Sequence, residues 1–389
     1  MTYMDGYGNV SIVKKSLTLI AASGGAALAE TNQREATIRD VARLAGCGIA
    51  TVSRVLNESG PVSDTSRRLV VDAARELGFE FSDVGRSLRN AVTRTIGCVV
   101  PSINNPVYAA AVQGIQTVAR ANGHQLLLSC TGYDLDEEYA AVKTLIGKRV
   151  DALILTMSDI KASRAVELLH NRKLKHCLLF NHMPGIPQRS AVDNCSAGFR
   201  VGLAFAEAGH DRVGYIALRL AQSDRAQQRF EGLSAFCQTT GLEAPALLEI
   251  EEQSRNLDQR LSAFLIANPA VTGLFVSNDL LAIAIIGALR RLGLSVPGDL
   301  SIVGFDGIEF GQMLQPTLAT IATDPHAMGQ ASAYMVLSSI LRRPATDTLA
   351  ASADFEFRPG GSLGRPPSKD ALAKKLQLLR QLSPAHASF

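Results

Sequence analysis

From residue 37 the apolar positions fall at helical spacing. Between Thr37 and Gly46, the residues Ile38, Val41, Ala42 and Ala45 share one face. Thr37 stands as an N-cap with Asp40 three residues on, the spacing of a capping box, and Gly46 offers a left-handed stop. A second short helix, Ile49–Leu56, turns Val52 and Val55 inward. Two short helices joined by a tight turn containing glycine make a helix-turn-helix, whose second helix enters the DNA major groove. An ordinary helical hairpin has the same spacing, so the pattern alone leaves that reading open.

From Ile96 the pattern changes to short apolar runs alternating with helical stretches. The runs predict strands at Ile96–Val100, Gln125–Ser129, Ala152–Leu155, Cys177–Phe180, Val213–Ile216, Leu247–Ile250, Gly273–Val276, Ser301–Gly304 and Ala319–Ile321. Amphipathic helices are predicted between them, among others at Ala109–Ala121, Asp136–Ile146, Ala226–Thr239 and Leu280–Leu292. Such alternation means parallel sheets with crossover helices, an α/β fold. No GxGxxG follows the first strand and no P-loop occurs, so no nucleotide cofactor is implied.

The chain has 389 residues, enough for two to three domains, and 47% are hydrophobic, which excludes wholesale disorder. Charge is nearly balanced at +3, which by itself would not suggest nucleic acid. Position changes that picture. Residues 37–57 hold Arg39, Arg43 and Arg54 against Asp40, and residues 82–94 hold Arg86, Arg89 and Arg94 against Asp83, a local charge of +2 in each. No apolar run reaches the length of a membrane span. The six cysteines contain no CxxC pair, so no metal centre is expected, and reduced thiols in a cytoplasmic protein are the simplest reading. Lys14 and Lys15 followed by the run Leu17–Ala29 resemble a weak export signal. An exported solute-binding protein for a sugar-like ligand is therefore the alternative, and a DNA-reading module argues against it. An enzyme is not expected, since no catalytic triad, metal cluster or phosphate loop is visible.

The string Thr37-Ile-Arg-Asp-Val-Ala-Arg-Leu-Ala-Gly46, followed by Ala50-Thr-Val-Ser-Arg-Val-Leu-Asn57, resembles the DNA-binding domain of the lactose/galactose/purine repressor (LacI-type) family of bacterial transcription regulators. The resemblance continues through Gly60-Pro-Val-Ser63, where Ser63 would cap a third helix, Thr65–Leu77. Cys47-Gly48 departs from the family's usual Val-Ser; Gly is nearly as good a cap, and Cys47 is expected to pack as a small apolar residue. By resemblance Ile49, Ala50 and Arg54 face the bases, Ile49 and Ala50 against thymine methyls and Arg54 toward guanine. Thr51, Ser53 and Asn57 would hold phosphates, and Thr37 begins the module. Residues 82–94 resemble the family's hinge helix, with Arg86 beside it and Leu88 in the place that wedges a base step from the minor groove. Gly85 replaces the usual Ala there and weakens that helix by roughly 1 kcal/mol.

Further strings, among them Pro101–Tyr108, Val192-Asp-Asn194, Ser277-Asn-Asp279 and Val296–Asp306, resemble the family's periplasmic-binding-protein-like effector domain. The resemblance implies two α/β lobes joined by three crossing strands, over residues 95–358. Ligands in such folds bind between the lobes at the carboxyl ends of strands. The candidate effector-binding residues are therefore Ser102, Asn105, Tyr108, Asn181, Asp193, Arg225, Arg229, Asn278, Asp279 and Asp306, with His182 and Gln312 beside them. Arg229 matches the family's effector-binding arginine, and Asp306 its hydroxyl-binding aspartate. The paired arginines favour an anionic group, and the stretches Gly132-Tyr133, Arg219–Arg225 and Gly304–Gln312 look most like regulators that take a sugar acid of gluconate type. A neutral sugar, nucleobase or phosphonate stays open.

The resemblance thus implies a repressor acting on double-stranded operator DNA under a small-molecule effector, as a homodimer or a tetramer. The helices Ala109–Ala121 and Leu280–Leu292 are the interface faces it suggests. The expected organisation is a disordered leader or a mis-called start over 1–36, the helix-turn-helix domain over 37–81, a hinge over 82–94, the effector domain over 95–358 and a tail over 359–389. Proline and glycine between 359 and 367 make the tail a linker, and Leu372, Leu376, Leu379 and Leu382 form a short leucine stripe, read as a fraying amphipathic helix.

Overall fold

The computed structural model describes residues 36–56, 59–79, 92–160, 162–182, 186, 188–250, 256–341 and 350–382. Asn57, Arg86, Leu88, the hinge residues 82–91 and the run Leu17–Ala29 lie outside the described residues. The chain forms two compact units that divide between Asn90 and Ala91.

Among the described residues the first unit holds three helices: α1 (Ile38–Leu44), α2 (Ile49–Leu56) and α3 (Asp64–Glu76). The Asp40 carboxylate reaches back to the Thr37 N–H at 3.0 Å and its hydroxyl at 2.6 Å. Gly46 takes φ +60°, and the Cys47 N–H donates to the Ala42 carbonyl at 3.1 Å, so α1 stops where glycine permits it. Ser63 caps α3 through the Ser66 N–H, at 3.2 Å. Val41, Ala42, Ala45, Val52, Val55, Val70 and Ala73 make the core, and Cys47 packs against it.

The second unit contains two six-stranded sheets, one per lobe. Its strands are β1 (Thr95–Val100), β2 (Gln125–Cys130), β3 (Ala152–Leu155), β4 (Lys175–Leu179), β5 (Arg189–Val192), β6 (Val213–Leu218), β7 (Ala246–Ile250), β8 (Gly273–Val276), β9 (Ser301–Asp306), β10 (Ala319–Ala322), β11 (Ala350–Ala353) and β12 (Glu356–Arg358). The first sheet runs β11-β5-β4-β3-β1-β2 and the second β12-β10-β9-β8-β6-β7. Only the β10–β12 pairing among them is antiparallel. The chain passes between sheets three times: after β5, after β10, and between β11 and β12.

The helices are α4 (Pro106–Ala121), α5 (Leu135–Gly147), α6 (Arg164–Arg172), α7 (Asn194–Ala208), α8 (Asp224–Thr240), α9 (Leu257–Ala267), α10 (Asp279–Arg291), α11 (Glu309–Gln312), α12 (Pro325–Ile340) and α13 (Lys369–Leu382). Both faces of each sheet are covered, which is why the strands read as continuous apolar runs. In the first lobe Ile96, Cys98 and Val100 face α4 and α12, while Val99 faces α5 and α6. In the second, Tyr215 and Phe275 face α7 and α8, while Ile216 and Val276 face α9 and α10. The same device closes both lobes. A Cβ at Gly114 or Gly329 would overlap the backbone of the partner helix in the α4–α12 pair, and one at Gly198 or Gly232 would do so in the α7–α8 pair. Glycine there lets the helix backbones touch.

Strands β5, β11 and β12 were not predicted. They are three or four residues long and carry few large apolar side chains. The tail also differs from a linker with a fraying helix. Ser362 is fully buried, its hydroxyl donating to the Ile302 carbonyl at 2.6 Å and accepting the Ala319 N–H at 2.8 Å. His210 contacts the Gly364 carbonyl through Nε2 at 3.0 Å. Helix α13 then docks on the second lobe, sinking Leu379 into the core beside α9 and α10 while the Lys375 Nζ donates to the Val271 carbonyl at 3.1 Å. Tertiary burial of two leucines, Leu378 and Leu379, supplies what two heptads of isolated helix could not. Among the described residues no helix is long and apolar enough to cross a membrane.

Candidate functional site

Two sites stand out, one in each unit. In the first, α2 turns Val52 and Val55 into the core and leaves Ile49, Ala50 and Arg54 exposed, Ile49 at 48%. Thr51 and Thr37 are half-buried at the margin of that face. Ser53 is 9% exposed and packs with the core side of the helix. It stands between the core-facing Val52 and the exposed Arg54, at the buried margin of that face.

In the second unit a cleft of about 830 Å³, counting the part open to solvent, lies where the carboxyl ends of the strands from both lobes meet. Asn105, Val107, Tyr108, Tyr133, Ser158 and Phe180 line it from the first lobe. Leu218, Arg219, Gln222, Ser223, Arg225, Arg229, Ser277, Asn278 and Asp306 line it from the second. Tyr108 meets Phe180 and Tyr133 edge to face, with ring centroids 5.7 and 6.4 Å apart, so the first-lobe wall is aromatic.

The backbone is strained at this cleft. Of seven non-glycine residues with positive φ among those described, Tyr133 (63°), Phe180 (68°), Arg219 (43°) and Asp306 (122°) all line it. Such conformations persist only where surrounding structure enforces them, and they cluster at ligand sites. Here each one ends or follows a strand and aims its side chain into the crevice.

Arg229 is fixed on three sides. Its Nε donates to the Asn194 Oδ1 at 2.8 Å, one terminal nitrogen donates to the Ser277 carbonyl, and the guanidinium lies 3.2 Å above the centre of the Phe305 ring. Arg225 reaches across the lobes to the Met157 carbonyl at 3.3 Å. Burial lowers the pKa of Arg229, and Asp306 opposes it. Burial acts on Arg225 in the same direction, yet Tyr108, Asp224, Tyr133 and Asp306 outweigh it and hold that guanidinium above its usual value. Burial pushes the Asp306 carboxyl up, Arg229 resisting and Asp279 adding to the rise. The result is a cleft floor that carries two buried guanidiniums with the Asp306 carboxyl beside them.

A repressor with an effector domain would have this combination of an exposed helix and a charged, aromatic cleft. The profile of bacterial regulatory proteins of the lacI family matches residues 37–81, and that of the periplasmic binding protein-like domain matches residues 203–360. The HTH-type transcriptional repressor PurR of Aliivibrio salmonicida is 30% identical over 311 residues, which is 78% of this chain and 92% of that protein. The chain belongs to the lacI family of bacterial regulatory proteins. Another lacI-type relative, the ribose operon repressor of Halalkalibacterium halodurans, is 30% identical over 309 residues, covering 79% of this chain and 91% of that one. The crystal structure of the lac repressor dimer bound to operator and the anti-inducer ONPF has the same fold, with a TM-score of 0.76 at 22% identity, over 85% of this chain and all of that one. This lacI-family protein is a DNA-binding transcription regulator with an effector-binding domain, not an enzyme.

Within that lacI-type framework the cleft brings together Asn105, Tyr108, Arg225, Arg229, Asn278 and Asp306 of the predicted residues. The other four have different work. Asp193 is exposed and caps α7 through the Ser196 N–H and hydroxyl, at 2.9 and 2.7 Å; its buried neighbour Asn194 holds Arg229 instead. Asp279 is fully buried and accepts the Gly307 N–H, the Ile308 N–H and the Thr320 hydroxyl at 2.8, 2.9 and 2.7 Å, tying the start of α10 to the loop after β9 and to β10 behind the cleft. Asn181 is fully buried as well; its amide holds the Met157 backbone and donates across the lobes to Asp224 at 3.1 Å. Ser102 accepts the Asn104 N–H at 3.1 Å in the loop before α4, and Gln312 donates to the Leu318 carbonyl at 3.2 Å. Neither they nor His182 line the cleft. Ser158, Phe180, Arg219 and Gln222 were not anticipated as pocket residues; their common signal is a position at the end of a predicted strand or within six residues after it.

Proposed function

We propose that this regulator binds operator DNA through α2 and responds to a sugar acid held between the lobes. Ile49, Ala50 and Arg54 read the bases, and Thr37 and Thr51 contact phosphates, with Asn57, Arg86 and Leu88 completing the contact by resemblance. The single observation that carries the effector reading is the convergence of Arg225, Arg229 and Asp306 in a cleft with an aromatic wall. Guanidinium forks match a carboxylate; Asn105, Asn278 and Asp306 can bond hydroxyls; Tyr108, Tyr133 and Phe180 can stack on the carbon skeleton. Gluconate is the type ligand of that description. Effector binding shifts the lobes and thereby the operator affinity, a coupling between two sites through a two-state element.

Dimerisation through the second unit is supported by its exposed apolar residues. Leu127 and Leu128 stand 40% exposed on the edge strand β2, and Leu280 on α10 is 38% exposed. The inner face of α4 is spent on α12. A leucine stripe for tetramers is less favoured, since α13 has already buried Leu379 in its own lobe. Function inside the cytoplasm follows from operator binding.

A thermal-shift screen of gluconate, galactonate, glucuronate, galactose, ribose, hypoxanthine and a simple phosphonate tests the effector reading. We expect a sugar acid to stabilise the protein and Arg229→Ala to abolish that shift. Stabilisation by a neutral sugar or nucleobase alone, or an undiminished shift in Arg229→Ala, refutes it.

A further inference from the structure

Asp306 ends β9 in the wall of the cleft, 9% exposed, its backbone held at φ 122° so that the carboxylate stays in the crevice. The guanidiniums of Arg225 and Arg229 on α8 face it. Asp279 at the start of α10 stands behind it, its carboxylate accepting three donors that favour the ionised form. From the other lobe, the phenols of Tyr108 and Tyr133 face the arginines. Asn194 and Thr323, which share the adjoining part of the crevice, are neutral. Asp224, next to Arg225 on α8, is a further carboxylate on that guanidinium. The two guanidiniums therefore already answer to Asp224, Asp279 and Asp306, and an effector carboxylate would be one more.

We propose that a sugar-acid effector enters this cleft together with one proton, which Asp306 takes up from solvent. The proposal rests on the reading of the cleft as an anion site. Two carboxylates confined beside the same buried guanidiniums cannot both stay ionised without cost. Protonation removes Asp306 as a competitor for Arg225 and Arg229 and turns it into a hydroxyl donor that an effector oxygen can accept. No bond other than the O–H of Asp306 is made. Burial already holds its pKa above the ordinary carboxylate range, so a modest further push by the effector is enough.

The sign follows from linkage. The effector raises the Asp306 pKa, so the complex holds the proton more tightly than the free protein does. Affinity is highest where Asp306 is protonated in both states. It falls as pH rises above the free-state pKa, by up to about tenfold per pH unit, until the bound-state pKa is passed.

Isothermal titration of the full chain with gluconate, galactonate and glucuronate tests this. Their carboxylates remain ionised between about pH 6 and 9. Each titration is run in two buffers of different ionisation enthalpy. The expected result is level affinity with no proton uptake below the free-state pKa of Asp306, and above it uptake that approaches one proton per site with affinity falling by up to about tenfold per unit. In Asp306→Asn the slope should flatten, whatever its absolute affinity. Tight binding by the wild type with level affinity and no buffer-dependent heat overturns the proton uptake and leaves the anion site standing. A slope that survives in Asp306→Asn overturns the assignment to Asp306. Failure of all three acids to bind at any pH overturns the anion reading itself, and the proposal with it.

Discussion

Asp279→Ala separates a residue that holds the cleft from one that lines it. The carboxylate accepts the Gly307 N–H at 2.8 Å, the Ile308 N–H at 2.9 Å and the Thr320 hydroxyl at 2.7 Å, joining the start of α10 to the loop after β9 and to β10. Gly304 exists partly to make room for it, since a Cβ there would overlap an Asp279 carboxylate oxygen. Alanine leaves two backbone N–H groups without their acceptor, at about 1–3 kcal/mol each. Thr320 can turn its hydroxyl toward the Ile321 carbonyl, 3.3 Å away, so its loss is small. Removing a buried carboxylate returns part of its desolvation cost, because burial pushes its pKa up. The net expectation is destabilisation of about 2–4 kcal/mol. Asp279→Asn keeps one acceptor oxygen and should lose roughly half as much. The chain has no tryptophan, so urea unfolding is best followed by circular dichroism, with the midpoint as readout. If Asp279→Ala unfolded at the wild-type midpoint yet lost effector binding outright, the aspartate would be a direct ligand and the structural role assigned to it would be wrong.

Burial lowers the Lys375 pKa from 10.5 to about 8, with Asp299 opposing. Between those values the unfolded chain keeps a proton that the folded one has released, so stability rises with pH through that window. Lys375→Met should gain about 1–2 kcal/mol at neutral pH and abolish the rise; a rise that persists in the variant rejects the assignment. Gly232→Ala places a methyl on the Cys195 backbone, must push α8 from α7, and should cost about 3 kcal/mol while weakening sugar-acid binding through Arg225 and Arg229; wild-type stability would show that the helices do not cross so closely. A chain ending at Pro367 loses α13 and uncovers the site of the fully buried Leu379. Its melting temperature should drop by the equivalent of about 2 kcal/mol or more, with the dimer mass unchanged by light scattering. A change from tetramer to dimer at constant melting temperature would instead assign α13 to assembly.

The helix-turn-helix was legible in the sequence because its signals are local. A capping pair three residues apart, a glycine stop and a helical apolar period act within one or two turns, and α1 and α2 formed where those signals placed them. The central strands were legible because burial on both faces makes them continuously apolar, whereas the short edge strands β5, β11 and β12 lack that mark. Which polar residue faces the cleft was legible only to within a residue or so. Asp193 and Asn194 are neighbours, as are Asn278 and Asp279, yet one of each pair belongs to the crevice region and the other to a helix cap or a buried latch. A step of one residue at a strand end or helix start redirects the side chain by a large angle, and composition does not record the angle.

The sequence by itself determined the helix-turn-helix and the central strands, the pairing of a DNA-reading helix with an α/β effector unit, and the residue types available at each strand end. Tertiary structure decided the rest. Close helix crossings at glycine, positive φ at Tyr133, Phe180, Arg219 and Asp306, and the docking of α13 all depend on contacts between segments far apart in the chain. The physical reason is range: caps and periodicity act over a few residues, while burial, desolvation and the convergence of two arginines on one carboxylate arise only when distant strands and helices are packed.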